Sequence, residues 1–528
     1  MRNTVYWGAL GLGLGRRLPS FLRHTINPSK AHEIVRTRLQ QREKDFLHLV
    51  RHAVFADPKN PYFQLLQAAG CQYSDLESLV LKEGVEQALK VLFQQGVYLT
   101  SSEFQGREPV VRGNSRFFVT SESLRNPLSK RHVPIRSSGS RSKGTPVVMD
   151  LAFLRDCAVD TTVYLDAREN LDAPMAMWEA PGGFALFRLL TLSCAKQPPE
   201  FWFSQLDIKD KSMDIRYRGS AALLRWTGFL AGAPLPRPEY VSLEDPQPIV
   251  RWMERCLQQD LRPHLFTFAS SAVRLSRAAC DAGVDLQGVQ ITMSGEPTTN
   301  SRLNSVRKSN ADGLPAIGSA ECGYIGYGCL APEHPDDIHL LTDLHAVIQP
   351  DKQVNSSGLR PESLLISSLR STAPIVLINV SLGDMALLEH RNCGCPLGNL
   401  GFDTHIQFIR SFEKLTSGGV ALPDNEVVRI LEDVLPHRFG GIPTDYQLLE
   451  DESESGNPKL CLVIHPALGP MNEDLVRNEF FDALGSGEQG DRITSKIWRS
   501  AEYLIIERSV PRTTATGKIQ HMHLRKKV

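Results

Sequence analysis

Residues able to do chemistry fall in a few short stretches of this 528-residue chain. The first is Ser137-Ser138-Gly139-Ser140-Arg141-Ser142-Lys143-Gly144-Thr145-Pro146. Small residues let backbone N–H groups converge on an anion, hydroxyls add donors, and Arg141 and Lys143 add positive charge. Phosphate is the anion such a loop suits; a plain surface linker has the same composition. Gly139 and Gly144 have the separation of a Walker loop, but Thr145 stands where its Lys belongs. Near the C-terminus, Pro511-Arg512-Thr513-Thr514-Ala515-Thr516-Gly517-Lys518-Ile519 carries a lysine after a glycine. By itself that is a solvated tail lysine. A third stretch, Cys393-Gly394-Cys395, joins Cys329 and either His334 or His339. Three thiolates and one imidazole are the donor set of a closed tetrahedral zinc site; free buried cysteines and a surface histidine are the alternative.

The elements that must position these residues read as an α/β chain. Residues 28–98 carry apolar residues at helical spacing, broken at Asn60-Pro61. The Ser/Gly-rich stretch 126–146 reads as a loop. From 148 to 350 apolar runs alternate with helical stretches. Strands are predicted at 184–190, 265–268, 288–294, 346–349, 364–368 and 375–378, and helices at 249–258 and 271–282. Such alternation favours largely parallel strands. Residues 459–464 and 501–507 read as strands of a small α+β unit after an acidic connection at 450–456.

Lys+Arg and Asp+Glu both number 59, so the formal charge is zero, which argues against a dedicated nucleic-acid binder. Hydrophobic residues at 41% exclude disorder of the whole chain. The apolar stretch 5–14 is too short to span a bilayer, which takes about 20 residues, and lacks the marks of a secretion leader. Ten scattered cysteines make no disulfide framework and point to a reducing cytoplasm.

Taken together, the two terminal loops resemble those of the adenylate-forming superfamily, which includes acyl- and aryl-CoA ligases, peptide-synthetase adenylation domains and luciferases. The first is similar to its Ser/Thr/Gly/Lys phosphate loop and 511–519 to its Pro-x-Thr-x-x-Gly-Lys motif. Intermediate stations follow in order. Ser294-Gly295-Glu296-Pro297 resembles the adenine-contacting Gly-Glu-Pro turn, and Ile317-Gly318-Ser319-Ala320-Glu321 the Tyr-Gly-x-Thr-Glu segment. Ser381-Leu382-Gly383-Asp384 resembles Thr-Gly-Asp, and Ile409-Arg410-Ser411-Phe412-Glu413 resembles Gly-Arg-x-Asp-Asp, with Gly419 at the spacing of the next glycine. Within the superfamily the nearest resemblance is to phenylacetate-CoA ligases, through Asn60-Pro61-Tyr62-Phe63, the stretch 338–345 and Cys393-Gly394-Cys395. It covers about residues 55–528.

The resemblance implies an α/β body of several subdomains at 56–409, a small mobile α+β domain at 410–528 and a helical lead at 1–55. It implies ATP-dependent activation of a small carboxylic acid to an acyl-adenylate, then thioester formation with CoA. Ser137, Ser138, Gly139, Ser140, Arg141, Lys143 and Gly144 would hold the departing phosphates. Gly295, Glu296, Pro297, Ser319 and Ala320 would line the nucleotide, and Glu321 would hold Mg²⁺. Asp384 would accept from the ribose hydroxyls, Arg410 would pair with ribose or phosphate oxygens, and Lys518 would bridge the carboxylate and α-phosphate. A structural zinc is implied on Cys329, Cys393, Cys395 and His339 by alignment, with His334 favoured by the shorter spacing. The acid would lie against 266–271 and 316–327, whose aromatics suit an aromatic or medium-length acyl group; no Arg or Lys lies in 316–327, which disfavours a second substrate carboxylate.

Departures from the pattern are Ala320 for Thr, Ile317 for an aromatic residue, and Phe412 at the hinge. They keep two alternatives open. One is an acyl-AMP ligase that loads the phosphopantetheine thiol of an acyl or peptidyl carrier protein, or another protein. The other is a degenerate, non-catalytic nucleotide-binding member. Neither nucleic acid nor a transmembrane span is expected.

Overall fold

The structure, a computed structural model, describes residues 17–120, 122–130, 132–136, 146–179, 183–196, 198–205, 228–229, 232–296, 298–350, 359–411, 416–417, 420–421, 424–452, 458–486, 495, 499, 504–513 and 522–524. The chain opens with helices α1 (Pro28–Gln40), α2 (Arg42–Val50), α3 (Pro61–Ala68), α4 (Tyr73–Glu83) and α5 (Val85–Gln94). Then come β1 (Val133–Arg136), β2 (Pro146–Met149), α6 (Leu151–Ala167), β3 (Met175–Trp178), α7 (Gly183–Ala195), β4 (Phe201–Ser204) and β5 (Pro238–Tyr240). The next elements are α8 (Gln247–Gln258), β6 (His264–Phe268), α9 (Ala269–Asp281), β7 (Gln290–Ser294) and α10 (Asn300–Arg307). A run of strands follows: β8 (Asp312–Ser319), β9 (Gly323–Gly328), β10 (Ile338–Leu340), β11 (His345–Ile348), β12 (Ser363–Ser368), β13 (Val380–His390) and β14 (Thr404–Ser411). The C-terminal part holds β15 (Tyr446–Glu452), β16 (Pro458–Ile464), α11 (Glu473–Gly485), β17 (Leu504–Arg508) and β18 (Met522–Leu524).

One twelve-stranded sheet dominates, in the order β11-β12-β13-β14-β10-β9-β8-β7-β6-β3-β4-β5. Strands β5 to β8 of that order, by way of β4, β3, β6 and β7, are parallel; the rest are antiparallel. The largely parallel sheet expected from the sequence is therefore only half of the sheet. Strand β8 joins the halves: 312–315 pair with β7, and 316–319 pair with β9.

Three predicted elements differ. Residues 184–190 are helix α7, not a strand, because a continuous apolar run buried on every side has no distinguishing period. Residues 375–378 make only an isolated bridge at Arg125 and Ile375. The stretch 126–146 contains β1, which pairs with β2 and so brackets the Ser/Gly loop with a hairpin.

Helices α6 and α7 cover one face of the parallel half and share a core with Ala31 and Val35 of α1. Helices α8, α9 and α10 cover the other face. Helices α2 to α5 bury Phe46, Tyr62, Leu89 and Leu92 against Ile338, Val347 and Ile366 of the antiparallel half and against Ile378. Asn60 starts α3 by accepting the Tyr62 N–H at 2.9 Å, with Pro61 at the first helical position. Buried Arg38 of α1 pairs with Asp156 of α6 at 2.6 Å and Asp343 at 3.1 Å. The C-terminal sheet, β17-β16-β15-β18, has its own core of Val427, Ile430, Leu435, Leu448, Leu462 and Phe480. Among the described residues no helix is long and apolar enough to cross a membrane.

Candidate functional site

In an α/β sheet, ligands bind outside the carboxyl ends of the parallel strands. There the chain places Glu179 after β3, Gly295-Glu296 after β7 and Ser319-Ala320-Glu321 at the end of β8. The β7 and β8 stations lie side by side because those strands pair directly.

The Gly295 tip is exposed, with φ +74°. Glu296 is committed to holding it. Its carboxylate accepts the Ser270 N–H at 2.7 Å and the Ser270 hydroxyl at 3.0 Å, at the N-terminus of α9, and pairs with Arg302 Nη1 at 3.3 Å. Glu296 thus fixes the turn, and Gly295 supplies its exposed face.

At the β8–β9 connection, Ser319 Oγ accepts the N–H groups of Glu321 (3.2 Å) and Cys322 (3.3 Å), which orients Glu321. Gly323 closes the turn at φ +70°, and a Cβ there would lie 3.1 Å from Cys157 Sγ and Phe153. Glycine is required on both counts. Burial, together with the charges of Glu321 and Asp384, pushes the Cys322 thiol up to about 12. The charges of both carboxylates, 63 positions apart in sequence, act on this one thiol. Asp384 follows Gly383 at φ +96°, pairs across the sheet with Ser411, and Met385 pairs with Arg410. The structure brings Gly295, Glu296, Ser319, Ala320 and Glu321 together at neighbouring strand ends, and sets Asp384 and Arg410 on the paired strands β13 and β14.

Ser137 to Gly144, Pro297, Phe412, Glu413, Gly419 and Lys518 lie outside the described residues. The flanks of the Lys518 stretch do not. The Gln447 side chain accepts the Arg512 N–H at 2.8 Å and donates to the Arg512 carbonyl at 2.8 Å. On the far side Met522 pairs with Leu448. Both ends of residues 514–521 are tied to the start of one strand, β15.

The expected acyl-contact residues Phe266, Tyr324 and Tyr327 are buried. A charge-compensated cation from another segment packs beside these rings. Arg188 of α7 is fully buried. Its Nη2 donates to Ser294 Oγ at 2.8 Å, it pairs with Glu179 at 3.0 Å, and it lies over the rings of Phe266 (5.4 Å), Phe184 (5.7 Å) and Tyr324 (5.8 Å). Reading 184–190 as a strand concealed it.

The metal candidates converge. Donor atoms of Cys329, His339, Cys393 and Cys395 all lie within 4.8 Å of one another. Zinc–sulfur bonds of about 2.3 Å in a tetrahedron need sulfur–sulfur edges of roughly 3.8 Å, so the set fits. His339 Nδ1 donates to the Phe402 carbonyl at 2.6 Å, which turns Nε2 to Cys395 Sγ at 3.1 Å. The Cys329 S–H, with help from His339, pulls Cys395 far below the ordinary thiol range; Cys329 is correspondingly raised. His334 takes no part: its ring packs on Phe408 at 4.3 Å. All ten cysteines are free thiols.

Sequence reasoning missed a buried contact between the two cores. Glu432, 1% exposed, forms an ion pair with Arg302 Nε at 2.9 Å and accepts from the Thr299 hydroxyl, while its backbone carbonyl accepts from Ser301 Oγ at 2.6 Å. Arg302 therefore grips Glu432 with one edge and Glu296 with another. No local pattern announces such a pair. Glu432 sits in an i→i+5 turn at Ile430–Val434, a feature frequent at functional sites.

No family model matches the sequence, and no curated protein is significantly similar to it. Solved structures do match. A 2-hydroxyisobutyryl-CoA ligase in the postadenylation state with R3-HIB-AMP is 14% identical, with TM-score 0.53, over 96% of this chain and 91% of that chain. The same ligase with 2-HIB-AMP is 14% identical, with TM-score 0.55, over the same shares. At this identity the likeness establishes the fold.

Proposed function

We propose that this chain, whose fold is that of the adenylate-forming enzymes, is an AMP-forming acid–thiol ligase. A carboxylate oxygen attacks the α-phosphorus of ATP, the bond to the β-phosphate breaks, and pyrophosphate leaves. A thiol sulfur then attacks the acyl carbon, and AMP leaves. The observation that supports this reading is the side-by-side setting of the Gly295 and Glu321 stations beyond the carboxyl ends of β7 and β8, with the Asp384 charge acting on Cys322 beside Glu321.

Catalysis of this kind is positioning and charge neutralisation. Gly295 offers an unobstructed peptide face to the base. Asp384, acceptor-only when ionised, suits ribose hydroxyls. Arg410 pairs with ribose or phosphate oxygens. Glu321 offers a carboxylate to Mg²⁺, which supplies charge neutralisation at the phosphates. Ser137 to Gly144 take the phosphates, and Lys518, held at both flanks by β15, bridges carboxylate and α-phosphate. Residues 56–409 act as the large domain and 410–528 as the small one. The acid is aromatic or of medium length, in keeping with Phe266, Tyr324 and Tyr327. The acceptor is CoA, with a carrier-protein phosphopantetheine as the second reading, favoured by the departure at Phe412. Cys329, His339, Cys393 and Cys395 hold a structural zinc, which also favours the phenylacetate-CoA-ligase-like branch. Free thiols suit a cytoplasmic setting.

The test is ATP-dependent pyrophosphate release over a panel of carboxylic acids, with CoA and a carrier protein compared as acceptors. Lys518→Ala should lower release by on the order of 10²–10³. Release from no acid would refute the reading, and full activity of Lys518→Ala would remove that residue from the mechanism.

A further inference from the structure

Strand β14 contains a bulge just before Arg410. Gln407 pairs with Leu387 and Arg410 with Met385, so Phe408 and Ile409 together oppose Ala386 alone. Phe408 has φ +55°, a left-handed conformation that bulge residues adopt easily as glycine and reluctantly as a bulky side chain. Its ring is 45% exposed, so burial of the ring does not explain the strain.

The compensation comes from Asp336, 3% exposed, on the loop between β9 and β10. Its Oδ1 accepts the Phe408 N–H at 3.0 Å. Its Oδ2 accepts the Ile409 N–H at 2.7 Å and Arg410 Nη1 at 3.1 Å. Successive N–H groups beside a left-handed residue form an anion-binding concavity, and here the anion is the chain's own carboxylate. The loop that offers it is itself anchored. Asp337 accepts from Glu333 N–H (2.9 Å) and His405 Nδ1 (2.7 Å) and pairs with Arg391. Cys329 opens the loop, and His339 lies in strand β10 that follows it.

We infer that Asp336 is a positioning residue for the nucleotide site. By holding the bulge it restores register at Arg410 and Ser411, opposite Met385 and Asp384, and it fixes Arg410 through Nη1 at the point where the chain leaves the sheet for the C-terminal part. The functional side of this inference rests on the ligase reading; the clamp itself does not.

The experiment uses the full chain and three variants: Asp336→Ala, Asp336→Asn and Asp336→Ala with Phe408→Gly. Hydrogen exchange of the peptide over 404–411 reads the clamp. Pyrophosphate release, resolved into KM for ATP, KM for the acid and kcat, reads the site. Expected are exchange at least tenfold faster in Asp336→Ala and a KM for ATP raised at least tenfold, with KM for the acid changed less than threefold. Asp336→Asn, which keeps one acceptor oxygen, should fall between. Phe408→Gly should recover a substantial part of the ATP KM, because glycine adopts the bulge without the carboxylate. Wild-type exchange in both Asp336 variants overturns the clamp whatever the activity. Faster exchange with an unmoved KM for ATP, or equal losses for ATP and acid that Phe408→Gly does not recover, overturns the positioning role. Should the wild type release pyrophosphate with no acid, the ligase reading fails while exchange still decides the clamp.

Discussion

Glu432→Ala should loosen the C-terminal part from the large sheet without unfolding either. Glu432 and Arg302 are essentially unexposed, and the pair spans the two cores. Truncating one partner of a buried ion pair costs about 3–5 kcal/mol, because the other charge is left uncompensated. Glu296 still faces Arg302 at 3.3 Å, so the lower end applies. About 3 kcal/mol shifts the docked population on the order of a hundredfold. Glu432→Gln keeps the shape and an acceptor for the Thr299 hydroxyl, and should lose roughly 1–2 kcal/mol. Salt should change either effect little, since the pair is buried. Hydrogen exchange with peptide resolution measures it. Asn300–Arg307 and Ile430–Val434 should exchange faster in Glu432→Ala, while Tyr446–Glu452 and Pro458–Ile464 keep their protection through their own core. Unchanged exchange on both facing surfaces would refute the reasoning, and so would loss of protection throughout the C-terminal sheet, which would make Glu432 a folding residue instead.

Other outcomes follow from the same structure. Purified protein should hold about one zinc per chain, and Cys395→Ser should remove it and lower Tm; a folded, zinc-free wild type would refute the site. Gln447→Ala removes two half-buried hydrogen bonds beside the Lys518 stretch, worth about 1–3 kcal/mol together, and should slow pyrophosphate release about tenfold or more with Tm nearly constant; an unchanged rate would show that the tether is dispensable. Asp160 is held well above the ordinary carboxyl range by burial and by the neighbouring Asp343 charge, against the pull of Arg38. The native state therefore binds a proton that the unfolded chain releases near pH 4. Its stabilising share is complete below that pH and is lost as pH rises through the raised native value. Asp160→Asn should accordingly gain more Tm at pH 8 than at pH 5; the reverse order would contradict the assigned protonation.

The helices of 28–98 and the strands at 265–268 and 364–368 were legible because one face of each helix is apolar and each strand is a short apolar run bounded by breakers. Helix α7 was not, because burial on all sides erases periodicity, and with it went Arg188. The order of stations nominated Glu296, Glu321, Asp384 and Arg410, but their neighbours were out of reach. Asp336 acts on residues more than seventy positions away, and Glu432 meets Thr299 across 133. The choice between His334 and His339 likewise needed the Phe402 carbonyl, which only the fold brings to His339.

The way β8 is shared also sets an order of events at the ribosome. The parallel half is built from 175–315 and can close as soon as those residues emerge, leaving 316–319 as an unpaired edge. That edge waits for β9, and exposed edges invite association with other chains. Helices α2 to α5 are made before the parallel half, yet their apolar faces pack on 338–378, made much later. A layer synthesised early is therefore among the last to be covered. Slow translation or a holding chaperone between those points should decide the yield of folded protein more than the strength of any single contact.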